Sequence, residues 1–144
     1  STLVKVNAET GSVIKESPVT VIRSRTIFET QAGYIAIAGT SLGNGAVKLV
    51  VLDKENMEIV KESNETIAEN SVLVSDGSNY YCIIQDGKNF VTGKFNENAE
   101  NLLKSQVNVK PATPLTITQN GILATSSSNI PVLLNTKDLS QIKN

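Results

Sequence analysis

Short apolar runs that end in polar turns recur four times along the chain. Leu3-Val-Lys-Val-Asn7, Leu49-Val-Val-Leu-Asp53, Gly93-Lys-Phe-Asn96 and Val132-Leu-Leu-Asn135 each lead into such a turn. A Lys stands eight residues after each Asn or Asp, at Lys15, Lys61, Lys104 and Lys143. The copies begin at 7, 53, 96 and 135, spacings of 46, 43 and 39 residues. A recurrence near 40 residues is about what one small four-stranded sheet and its turns occupy.

Each echoed segment reads as a hairpin. Its second strand closes on Ile14-Lys15-Glu16-Ser17, Val60-Lys61-Glu62-Ser63, Leu103-Lys104-Ser105 or Ile142-Lys143-Asn144. A second hairpin follows the first three copies. Its first strands are expected at 25–30, 71–75 and 114–118, and its second strands begin at Tyr34, Tyr80 and Ile122. Gly33, Asn79 and Gly121 precede those second strands and tolerate the positive φ of tight turns. Asn44-Gly45, Asp76-Gly77, Asp86-Gly87 and Asn120-Gly121 add turn signals. The total predicted is 14 strands.

Two stretches compete with this reading. Asp53 to Asn70 and Glu97 to Gln106 are rich in Glu, Lys and Asn and, taken alone, suggest short helices. The matching part of the first copy carries Thr10-Gly11 and Ser17-Pro18, which a continuous helix would not tolerate. Sister copies share one structure, so strands are predicted in all four. The repeated Lys then marks an outer edge strand, where charge discourages edge-to-edge pairing. The apolar strands at Tyr34, Tyr80 and Ile122 lie inside.

The segment Leu3 to Ile14 resembles the strand-turn-strand of quinoprotein-type β-propeller repeats, although the Thr-Gly turn occurs only in the first copy and Trp is missing. More narrowly, Leu49 to Ser63 followed by Asn70 to Tyr81 is similar to the C-terminal β-rich region of a high-molecular-mass spirochaetal cell-envelope antigen family. That resemblance implies an envelope protein, periplasmic or extracellular, with no active-site residues to carry over. The fold expected is all-β, a β-propeller-like array of four-stranded antiparallel blades, about three and a half in number, within one domain. The leading hairpin spans 3–17, and the blades span about 25–63, 70–106 and 113–144. The chain starts and ends on the same kind of hairpin, so its ends would not complete a shared blade. An incomplete or open array is therefore expected, either a fragment of a larger one or an arc.

Composition narrows the function. The 144 residues hold 40% apolar side chains, and no run nears the roughly 18 apolar residues that span a bilayer. Val, Ile and Thr together number 41, which favours strands. Net charge is −1 with two Arg among thirteen basic residues, which argues against a nucleic-acid surface. There is no His, so acid–base catalysis at neutral pH would need a strongly shifted carboxylate, Lys or Tyr. The single Cys excludes an internal disulfide.

Few residues suggest chemistry. Cys82 falls in the column of Ala36 and Ala124 and reads as a small buried hydrophobe. Arg23 and Arg25 stand near the expected channel mouth and could hold a carboxylate or phosphate. The competing reading is a solvated pair balanced by Glu16 or Glu29, its aligned positions being the uncharged Ala68, Asn70 and residues near Thr113. Tyr80 and Tyr81 are adjacent and so face opposite ways, one into the core and the other, Tyr81, open to a partner. Ser41 to Gly45 lacks the Gly-Lys-Ser/Thr ending of a phosphate loop and reads as a hairpin loop. Asn64-Glu-Thr66 matches a glycosylation acceptor only by pattern. No acidic spacing matches a calcium loop, and no catalytic residue, metal or cofactor is expected. The function expected is a non-enzymatic interaction or scaffold module that takes a protein partner, or a second copy of itself, through an open blade flank. The alternative is the ligand-binding part of a larger propeller enzyme or receptor.

Overall fold

The structure is a computed structural model that describes residues 1–39 and 45–143. Among these residues every regular element is a strand: β1 Val4–Val6, β2 Val13–Glu16, β3 Phe28–Glu29, β4 Tyr34–Ala38, β5 Lys48–Leu52, β6 Ile59–Glu62, β7 Val74–Ser75, β8 Tyr80–Asp86, β9 Asn89–Phe95, β10 Asn101–Asn108, β11 Thr116–Thr118, β12 Gly121–Thr125 and β13 Pro131–Leu134. They form four antiparallel sheets in chain order: β1-β2, β3-β4-β5-β6, β7-β8-β9-β10 and β11-β12-β13. No sheet closes on itself, and the arrangement is an open, propeller-like array. The helical alternative fails at both stretches, which form turns leading into β6 and β10.

The repeated Asn or Asp makes the turn. Asn7 Oδ1 accepts from the amides of Glu9 and Thr10 at 2.8 and 3.0 Å. Asp53 accepts from the amides of Asn56 and Glu58, both at 2.8 Å. Asn96 and Asn135 do the same for the amides of Asn98 and Lys137. A short side chain that bonds backbone just ahead of it competes with helix and favours a turn. The left-handed residue each turn requires is Gly11, Met57, Ala99 or Leu139, with φ of 73°, 56°, 61° and 60°. Three of these are not glycine, and their buried side chains reach into the junction between two sheets. Packing holds them in a conformation their backbones disfavour.

The first strand of each full unit is shorter than predicted. Ile22, Ile67 and Val109 make single bridges to Ala38, Ile84 and Ser126, and only two or three residues pair further on. Between the two pieces a hydroxyl replaces the missing ladder. The amides of Ile37, Ile83 and Thr125 donate to Ser24 Oγ, Ser71 Oγ and Thr113 Oγ1 at 3.0, 2.7 and 2.8 Å. The fourteenth strand is likewise reduced, to a bridge between Leu134 and Gln141. Gly33 and Gly121 take φ of 148° and 145°, and a Cβ there would strike the carbonyl oxygens of Leu52 and Leu134. Asn79 does not share that conformation. In its hairpin the positive φ falls on Gly77, at 95°. The loop predicted at Ser41 to Gly45 and the turn at Asn44-Gly45 lie largely outside the described residues, as does Asn144.

The core lies between sheets. Ile35, Ile37, Leu49 and Val51 of the second sheet pack on Tyr80, Cys82, Ile84, Val91 and Phe95 of the third. The opposite face of the third, through Tyr81 and Ile83, meets Ile122, Ala124, Val132 and Leu134 of the fourth. The first hairpin contributes Leu3 to a cluster with Ala36, Val50, Leu52 and Met57. Aliphatic side chains dominate every junction, joined by Tyr80 and Phe95 in one and by Tyr81 in the next. Polar links cross the same junctions: Ser17 Oγ donates to the Met57 carbonyl at 2.6 Å, and Ser105 Oγ to the Leu139 carbonyl at 2.8 Å. Lys94 Nζ reaches the Thr136 carbonyl at 3.2 Å, and Lys5 Nζ the Lys54 carbonyl.

Candidate functional site

Arg23 and Arg25 do line one cleft, of about 490 Å³, with Thr26 and residues 69–74. It lies between the innermost strands of the second and third sheets. Thr26 Oγ1 ties its walls by donating to the Leu73 carbonyl at 2.6 Å. Arg23 is committed within the fold. Its Nε donates to the Glu69 carbonyl at 3.2 Å, one terminal nitrogen donates to the Gly39 carbonyl at 3.3 Å, and the other stands 3.6 Å from the Glu69 carboxylate. The balancing acid is Glu69, not Glu16 or Glu29; Glu29 pairs instead with Lys54 at 3.4 Å. Arg25 has no acidic partner among the described residues.

Backbone bonds correct the alignment of this pair. The amides of Arg23, Ala68 and Lys110 donate to the carbonyls of Ile37, Ile83 and Thr125. The third counterpart of Arg23 is therefore the charged Lys110, and Thr113 corresponds to Ser24. The shift arises because the first strand is broken by a loop that period counting runs through.

Both tyrosines are buried, so Tyr81 is not the exposed anchor expected. Alternation does send them to opposite faces, but each face is covered by a neighbouring sheet. Tyr81 donates its hydroxyl to Asp76 Oδ2 at 2.8 Å. Burial, then the bond to Asp76, pushes its phenol far above the usual value. Partial burial raises the Asp76 carboxyl, but the amides of Asn79 and Ser78, the Tyr81 hydroxyl and the charge of Lys94 outweigh it and hold the group below the ordinary carboxylate range. Cys82 is fully buried in the column of Ala36 and Ala124, and burial pushes its thiol well up, away from the reactive thiolate. Among the described residues no group of three or more His, Cys, Asp or Glu is placed to hold a metal.

The array also exposes two apolar flanks that the sequence expectation did not locate. Register aligns Val4 and Val6 of β1 with Val50 and Leu52 of β5, down to the same bulge after the middle residue. Val4 and Val6 are 49% and 51% exposed, whereas Val50, Leu52 and the further counterparts Phe95 and Leu134 are at most 1% exposed. At the other end of the array, Leu123 of β12 takes the place of Ile35 and Tyr81. It is 44% exposed, and they are fully buried. Positions that form every internal junction stand open at both ends. The signal was present in the sequence, because Val4, Val6 and Leu123 occupy columns that are apolar or small in the other copies.

The model of the Borrelia P83/100 protein family matches residues 1–115. The chain belongs to that family. This match upholds the narrower of the two resemblances, the spirochaetal one; the quinoprotein likeness extends to the architecture alone. No curated protein matches the chain. A crystal structure described as a putative 6-phosphogluconolactonase from Bacteroides fragilis is similar over 93% of this chain, at 15% identity and a TM-score of 0.49. The chain spans 44% of that protein's length. The expectation of a non-enzymatic chain is corrected by this finding, since a structure like it is described as an enzyme. At that similarity the likeness assigns no activity to the P83/100-family chain. Among the described residues no helix is long and apolar enough to cross a membrane.

Proposed function

We propose that this P83/100-family chain is an interaction module of a cell-envelope protein, whose two bare flanks are docking surfaces for a further β-sheet. The observation that carries the reading is the exposure of Val4, Val6 and Leu123 at positions buried in every internal junction. A soluble surface tolerates single exposed apolar side chains but seldom a contiguous apolar sheet face. A second reading rests on the cleft between the inner strands. There the fork of Arg25, which has no acidic partner among the described residues, stands with Asn70 in the lining and suits a carboxylate or phosphate.

Thiol accessibility tests the first reading. In a Cys82→Ala background, Val4→Cys and Leu123→Cys should react quickly with a membrane-permeant thiol reagent in the dilute purified chain. In the cells that make the protein they should react far more slowly than Glu9→Cys, an exposed turn control. Equal rates at all three positions in the cell would remove the docking assignment.

A further inference from the structure

The cleft between the second and third sheets lies where two copies of the repeat differ in length. In the second and third full units a two-residue turn separates the residue whose amide bonds the neighbouring strand from the hydroxyl that follows it. These pairs are Ala68 and Ser71, then Lys110 and Thr113. A backbone bond closes each turn, from the Ser71 amide to the Ala68 carbonyl at 3.1 Å and from the Thr113 amide to the Lys110 carbonyl at 3.2 Å. In the first full unit the same two roles fall on neighbours, Arg23 and Ser24, both bonded to Ile37. The turn residues Glu69 and Asn70 therefore have no counterpart on the facing sheet, and the cleft lies beside them. Both walls belong to internal sheets, each packed on a neighbour at either side.

Three charged side chains line the cleft: Arg23, Arg25 and Glu69. Two guanidinium groups against one carboxylate leave a net charge of +1. Arg23 is occupied by the carbonyls of Glu69 and Gly39 and by the Glu69 carboxylate, so the fork open to an anion is that of Arg25. A carboxylate meets such a fork with two parallel bonds and matches its single charge. A phosphate dianion would bring a second negative charge into a lining that already holds a carboxylate. We propose that the cleft takes a singly charged carboxylate on Arg25, and that Glu69 selects against doubly charged phosphates. This rests on the reading of the cleft as an anion site.

Arginine side-chain NMR signals test it, because the chain has only two Arg and Arg25→Gln assigns them. The probes are butyrate, whose chain suits the Val72 and Val74 in the lining, and methyl phosphate at about pH 8, where a phosphate monoester carries close to two charges. Ionic strength is held constant. Butyrate should shift the Arg25 signal and the Asn70 amide saturably, with a Kd in the millimolar range, and methyl phosphate should bind several-fold more weakly. Arg25→Gln should abolish the shift at Asn70. Glu69→Gln should raise the affinity for methyl phosphate more than that for butyrate. Amide spectra confirm that the variants fold. Arg25→Lys, which keeps the charge and loses the fork, replaces Arg25→Gln if the latter does not, and should weaken butyrate binding several-fold.

The absence of a saturable shift at Arg25 with either anion would remove the anion reading and this proposal with it. Methyl phosphate binding as tightly as butyrate would leave the anion site standing and overturn the choice of ligand. An unchanged preference in Glu69→Gln would overturn the role given to Glu69. A butyrate shift at Asn70 that survives Arg25→Gln would place the anion on another group and overturn the proposal as well.

Discussion

Cys82 shows how a residue's neighbours decide whether chemistry is available to it. It pairs across the sheet with Gly93, and a Cβ on that glycine would run into Ile84 and Phe95. Ala36 and Ala124 fill the same column in their sheets and are buried likewise. Cys82→Ala should therefore cost little, while Cys82→Phe should cost roughly 1–3 kcal/mol through overpacking, read from denaturant midpoints. Rapid labelling of the folded native chain by a bulky thiol reagent would contradict the burial. This much was legible from the alignment of copies. The place of Tyr81 was not, because strand alternation says which way a side chain points and not whether a second sheet covers that side. Arg23 was misplaced for a similar reason. Its acid, Glu69, is 46 residues away in the chain, and no local pattern brings the two together.

At the scale of the element, the four echoes turned out to record a turn more than a strand. Asn7, Asp53, Asn96 and Asn135 recur because each bonds the amides of its own turn, and the left-handed residue that follows closes it. Helix propensity in the Glu- and Lys-rich stretches loses to this local bonding and to the packing of Met57 and Ala99. The repeated serines of Lys15-Glu16-Ser17 and Lys104-Ser105 were visible as text. Their role in tying one sheet to the next needed the three-dimensional register. The broken first strands escaped entirely, since Ser24, Ser71 and Thr113 carry no signal that separates a strand hydroxyl from one replacing a ladder bond.

The turn carboxylates make the fold acid-sensitive. Backbone amides of Asn56 and Glu58 hold Asp53 below the ordinary range, and the backbone amide and hydroxyl of Ser140 hold Asp138 there. Asp76 is depressed against its own burial, as described above. A carboxyl with a lowered folded pKa adds stability above its unfolded value, about 3.9, and that stability is lost as pH falls through the folded value. Chemical denaturation should thus show a plateau above about pH 5 and a decline below about pH 4. Asp76→Asn should flatten part of that decline. A native chain whose stability does not change down to about pH 2 would contradict the account.

Across the whole molecule, the sequence repeat foretold an open array and an apolar flank, and the structure names the side chains on it. Each internal sheet is covered on both faces, and the two terminal sheets on one. Val4, Val6 and Leu123 stand exposed where their counterparts in the internal junctions are buried, and an apolar sheet face invites association. Their exposure is the reason for reading the chain as one that docks.

Amide hydrogen exchange of the dilute purified chain tests the open array most directly, because a sheet covered on one face opens more readily than one covered on both. The account predicts that β1, β2, β12 and β13 exchange faster than β4, β5, β8 and β9. Equal protection in the outer and inner sheets would contradict it.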